Sequence, residues 1–317
     1  MDSEKFFFLN KELDASGIQP LLPDELSCMK QYVEMARHLQ EIHQLYQIVL
    51  FNLSIMRNNY SWINNGDVYH NGLPAKGNEH FIAVNSMIIN LIGSVRTLTE
   101  SMDCYMNENY KGENAEVQAF HDFTHSIYDE CFAYRFLIRL RDFSQHGHPP
   151  VSQNDANYYF DLRQIARMPH FAHNKQIQEQ LSAIIAETMD SFHGYPYLGV
   201  TMTVAEFTVG LWKIYNYFLT CIETHLQTSF AQAQTILGQY PENVKLKNAD
   251  LPDLFIYSVK DDCADAIMVG ENTMEMLEQF QSEAKDTLET FQKDWDELKR
   301  GVSLTKKDGE MFDFSAL

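Results

Sequence analysis

Imidazole and guanidinium groups are brought close together along this chain in Arg141-Asp142-Phe143-Ser144-Gln145-His146, with His148 two residues further on. Imidazole is the side chain that exchanges protons near neutral pH. The planar guanidinium fork fits two oxygens of one phosphate. Other arginine–histidine pairs are poorer. Arg37 precedes His38 and His43 in the middle of a helical pattern, while Arg163 with His170 and Arg167 with His173 have Pro169 between them. A geometric condition comes with the better segment. At about 100° per residue, positions five apart on one helix point roughly 140° away from each other. Arg141 and His146 can therefore share a site within one chain only if the helix ends or distorts between them.

Arginine followed by a polar residue, and histidine after four intervening positions, resembles the signature of HEPN-domain ribonucleases. The longer stretch Arg135-Phe136-Leu137-Ile138-Arg139-Leu140-Arg141 running into the motif is similar to the family's apolar helix, and His148 also falls within the permitted spacing. The resemblance covers about residues 24–150. It implies a small helical bundle, a homodimer in which two motifs face each other, and metal-independent RNA cleavage through the neighbouring 2′-hydroxyl. Within it, His146 would be the general acid or base and Arg141 would stabilise charge on the phosphate. Asp142 would orient the histidine or the partner's arginine, with His148 as a second candidate imidazole. HEPN bundles also include inactive members that act only as interaction modules. A non-catalytic dimerisation or partner-capture protein therefore stands beside the nuclease, which as such domains often are would be a toxin or defence effector under a regulatory protein.

Local charge suits a confined phosphate site. Arg135, Arg139, Arg163 and Arg167 are the expected substrate-binding bases, with Lys175 nearby, against Asp142, Asp155 and Asp161. Elsewhere the chain is strongly acidic, with formal net charge −20 and pI near 4.9, which argues against nucleic-acid binding over the whole surface.

Other chemistry is weaker. His121 and His125 are four apart, a spacing that can bind one metal, but no third ligand is identifiable, so no metal and no cofactor are expected. His170 and His173 are weaker still. Cys28, Cys104, Cys131, Cys221 and Cys263 form no CxxC pair and read as reduced thiols, with Cys131 on an apolar helix face. GxSxG, P-loop and GxGxxG motifs are absent.

The elements that must position these groups are helical. Only 14 Gly and 9 Pro in 317 residues favour long helices, and 45% hydrophobic residues supply a core. Residues 1–23 form a lead-in. A helix starts at the N-cap Asp24 and carries Met29, Val33, Ala36, Leu39 and Ile42 at helical steps until Asn64-Asn65-Gly66. A second runs from about Asn78 to Tyr110, and a third from near Glu113 through Cys131 to Arg141, stopped around His146 by Gly147 and Pro149-Pro150. Asn174–Met189 and Thr203–Leu237 are candidates for a fourth. Asn157–Ile165 and Leu254–Val259 read as short strands, and Glu271–Lys299 as an acidic helix docking on a partner helix.

The expectation is an all-α-dominated antiparallel bundle over 24–150, a helical continuation with a short strand over 151–240, and an acidic C-terminal segment over 241–317. Neither Val84–Leu98 nor Val204–Leu219 gives about 20 continuous apolar residues, and Phe6–Leu9 is too short for a signal peptide, so a cytoplasmic protein with no membrane contact is expected.

Overall fold

A computed structural model describes residues 5–9, 20–58, 68–70, 73–75, 78–110, 115–154, 157–168, 171, 173–190, 197–239, 255–260, 263–268 and 273–307. The fold is all-α with a few short strands. Among the described residues the helices are α1 (Pro23–Asn58), α2 (Asn78–Asn109), α3 (Ala115–Glu130), α4 (Phe132–Gln145), α5 (Leu162–Ala166), α6 (Lys175–Asp190), α7 (Val200–Gly238) and α8 (Thr273–Lys307). The end of the first helix expected at 64–66 lies outside the described residues.

The position of a fourth long helix falls to α7, which is apolar around most of its circumference and so is driven to the centre. It packs against α1, α3, α4 and α8. Polar side-chain contacts between helices fix the directions. Asn52 donates to Ser94 Oγ at 3.0 Å, and His38 approaches Glu108 at 3.7 Å, so α1 and α2 are antiparallel. Asn216 donates to the Ala284 carbonyl at 3.0 Å and Gln281 to Glu223 at 3.1 Å, so α7 and α8 are antiparallel too. The acidic helix thus docks on a partner within the same chain. One cluster of buried apolar side chains, from Met35 through Trp212 and Phe218 to Ala284, joins these elements. The stretch Phe81–Asn109 of α2 is long and apolar enough by length and composition to cross a membrane, but Ile88, Leu91, Val95 and Leu98 along it lie in that cluster.

Among the described residues the strands form three small antiparallel sheets. Phe6–Leu9 belongs to a strand, Lys5–Leu9, which pairs with Phe255–Lys260, Phe8 opposite Ile256; Phe255–Lys260 in turn pairs with Cys263–Met268. The expected strand Asn157–Ile165 is divided. Residues Asn157–Asp161 pair with Ser152–Asn154 and Tyr197–Gly199, after which Asp161 caps α5 by accepting the Arg163 amide at 3.0 Å and the Gln164 amide at 3.2 Å.

The third helix is also divided, and this corrects the reading of a continuous run to Arg141. Cys131 leaves helical geometry at φ −100°, ψ 102°, and its Sγ accepts the Tyr134 amide at 3.4 Å as the N-cap of α4. Gly210 of α7 lies against this corner. A Cβ there would stand 3.3 Å from Ile127 Cγ2, closer than most side chains permit, and 3.6 Å from Cys131 Sγ, an ordinary contact. Burial, with Glu206 adding to it, pushes the Cys131 thiol up to about 12, so the sulfur stays protonated and is not a nucleophile.

His43, one of the alternative histidines, is a core residue. Its ring stacks on Phe280 at 3.6 Å and 4°, with Nδ1 3.2 Å from Tyr215 Oη and Nε2 3.2 Å from Glu283 Oε2. Burial lowers its pKa, against an opposing pull from Glu283, and burial lowers that of His225 as well. A histidine that resists protonation when folded stabilises the fold above its unfolded pKa near 6.5; that stability is lost as pH falls toward the folded value. Denaturant midpoints are expected to fall below about pH 6.5, and His43→Gln to flatten the fall by at most one proton, about 1.4 kcal/mol per pH unit. Equal slopes in wild type and variant would remove His43 from this role.

Candidate functional site

Helix α4 runs regularly to Gln145, with His146 as its C-cap and Gly147 beyond it at φ 87°, its amide donating to the Ser144 carbonyl at 3.2 Å. Only glycine adopts that left-handed turn at little cost. The stop thus falls where the sequence puts it, one residue before His146, and the backbone from Arg141 to Gln145 is regular helix. Because α4 keeps its helical turn through 145, the two side chains leave it roughly 140° apart.

Arg141 lines a groove of about 580 Å³, open to solvent, between α2, α3 and α4; His146 and His148 do not line it. His146 is exposed at the end of α4. His148 is half-buried, its ring 5.0 Å from that of Phe143. Asp142 also lines the groove, with Oδ1 3.6 Å from Arg141 Nη1, and each of these two side chains is about one-third exposed.

The four expected substrate-binding arginines part company. Arg139 is half-buried in the groove wall and donates Nε to Tyr128 Oη at 3.2 Å. Arg163 and Arg167 are on α5 and at its C-cap, outside the groove. Arg135 is fully buried and corrects its assignment outright. Its Nη1 donates to the carbonyls of Tyr128 at 2.7 Å and Asp129 at 3.1 Å, and Nη2 to Gln180 Oε1 at 2.6 Å. It satisfies carbonyls that the end of α3 leaves without helical donors. The run of bases from 135 to 175 is contiguous in sequence but not in space.

No family model matches the chain, and neither a curated protein nor a solved structure matches it. Any assignment therefore rests on the groove itself.

What the motif does not supply, the neighbouring helices do. From α2 come Arg96, Glu100 and Asp103, and from α3 His121, His125 and Tyr128. Arg96 Nε is 2.6 Å from Glu100 Oε1, and His121 Nε2 is 2.7 Å from Asp103 Oδ1. Three arginines face three carboxylates, so on a chain of formal charge −20 the groove is locally balanced. A phosphate placed there would meet guanidinium forks without the general repulsion of the surface. Tyr134 in the same wall is pushed well up by burial, which Arg96 only partly offsets, so it stays protonated. His121 and His125 share a face because they are four apart, the spacing that first suggested a metal, yet no group of three His, Cys, Asp or Glu poised for one occurs among the described residues. The signal for Arg96, Glu100 and Asp103 was also in the sequence, as the charged residues of 81–107, three or four apart. Nothing there said which helix they would face.

Proposed function

We propose that the protein is a metal-independent endoribonuclease of HEPN type, acting as a homodimer. Arg141 and Arg139 would hold the phosphate in the groove, while His146 of a second copy supplies the acid–base imidazole. The observation that carries this reading is Arg141 on the wall of an open, charge-balanced groove with His146 exposed at the end of the same helix. The dimer follows from the angle between them, since a second copy can present the histidine that the first turns away. Dependence on the 2′-hydroxyl would restrict the substrate to RNA.

Cleavage of mixed RNA in excess EDTA tests it. Wild type is expected to leave 2′,3′-cyclic ends, with activity falling about 10²–10⁴-fold in His146→Ala. No cleavage by wild type, or equal cleavage by the variant, would overturn it. The second reading, a non-catalytic helical dimerisation or partner-capture protein, is favoured by Ile48 and Phe51 of α1 and Ile82 and Ile89 of α2, which expose 41–65% of their surface. It would predict a dimer without nuclease activity.

A further inference from the structure

Within one chain, the groove of Arg141 holds an imidazole against a carboxylate, that of His121. It reaches across from α3 to Asp103 of α2, Nε2 to Oδ1 at 2.7 Å, and both remain accessible, with 34% and 52% of their side chains exposed. An ionised carboxylate can only accept, so neutral His121 carries its proton on Nε2 and keeps the lone pair on Nδ1. An aspartate that fixes tautomer and ring orientation is what a general base requires. On the same groove wall, Arg139 is braced by Tyr128 Oη at 3.2 Å.

Resting on the ribonuclease reading above, we propose that this groove is a phosphodiester site. In it His121, positioned by Asp103, is the proton acceptor, and Arg139 and Arg141 bind the non-bridging oxygens. His121 Nδ1 takes the proton of a ribose 2′-hydroxyl. The O2′–P bond forms as the P–O5′ bond breaks, and the departing 5′ oxygen takes a proton from His146 of the second copy. The products are a 2′,3′-cyclic phosphate and a 5′-hydroxyl, and proton exchange with water restores both histidines. This divides the two proton transfers between two imidazoles, one built into the groove and one delivered at the dimer contact. Asp103 is a positioning residue.

The test is cleavage of an RNA strand in EDTA from about pH 5 to about pH 9, a range that brackets imidazole titration. His121→Gln is expected to lower kcat about 100-fold or more with little change in KM. Asp103→Asn is expected to move the acid limb of the pH–rate profile, which an aspartate of purely structural role would leave in place. If His121→Gln keeps the wild-type rate and profile while His146→Ala loses cleavage, the His121 assignment is overturned and the ribonuclease reading stands. If wild type cleaves nothing, the ribonuclease reading has failed, and the groove is judged by binding of an uncleavable DNA strand of the same length to protein with isotope-labelled histidines. A saturable shift of the His121 resonance, abolished in the Arg139→Ala, Arg141→Ala double variant, would support the phosphodiester site. No shift would overturn it.

Discussion

Arg135→Ala is expected to lower stability by about 3–5 kcal/mol, enough to unfold much of a marginally stable chain. The guanidinium is 0% exposed, and its three hydrogen bonds of 2.6–3.1 Å run to two carbonyls at the end of α3 and to Gln180 of α6. Its Cζ also lies 5.6 Å from the centre of the Tyr128 ring. The nearest carboxylate, Asp129, is 3.9 Å away and 64% exposed, so the ion pair adds little. What truncation removes is the set of donors, leaving buried acceptors unmatched at about 1–3 kcal/mol each, as well as a cavity. Arg135→Met separates the two effects because it keeps most of the volume, and a loss of about 2–3 kcal/mol is expected. Denaturant unfolding checks both variants. If Arg135→Met is as stable as wild type and only RNA binding suffers, Arg135 is a substrate contact and the buried cap is wrong.

Arg141→Ala and His146→Ala are each expected to lose cleavage about 10²–10⁴-fold, yet a mixture of the two should regain it. The reason is geometric. On a regular α4 the two positions diverge by roughly 140°, so in the proposed dimer each working site would take Arg141 from one copy and His146 from another. In a dimer of Arg141→Ala with His146→Ala, one site has lost both groups and the other is intact. Random exchange makes about half the dimers mixed, so the mixture should recover about a quarter of the wild-type rate. Subunit exchange must be shown separately, for instance by energy transfer between labelled copies. Exchange without recovered activity would place both groups in one copy's site, or remove His146 from the chemistry.

Residue types and their spacing by themselves marked the long helices and the stop at the end of α4. The apolar step of three to four residues marks α1, α2, α7 and α8, because each must bury a stripe whatever its neighbour is. Gly147 stops α4 where the chain turns left-handed, since that conformation is cheap only for glycine. Local chemistry decided these features, so local sequence carried them. The division at Cys131 did not show, because the residues on either side keep helical periodicity. It is closed by Gly210 from α7 and by the guanidinium of Arg135, whose carbonyl partners lie six and seven residues earlier.

The same distinction governs the site. That Arg141 and His146 cannot share a face of a regular helix follows from their spacing, but that the helix stays regular was decided by packing. The bases from Arg135 to Lys175 are neighbours in sequence. Tertiary structure buried Arg135, left Arg163 and Arg167 at α5, and joined Arg139 and Arg141 to Arg96, His121 and Asp103 from two other helices. Charge adjacency along a chain is set by covalent order, whereas a groove is set by which helix faces meet. Those faces are chosen by the apolar stripes on their far sides, where a polar residue has no vote.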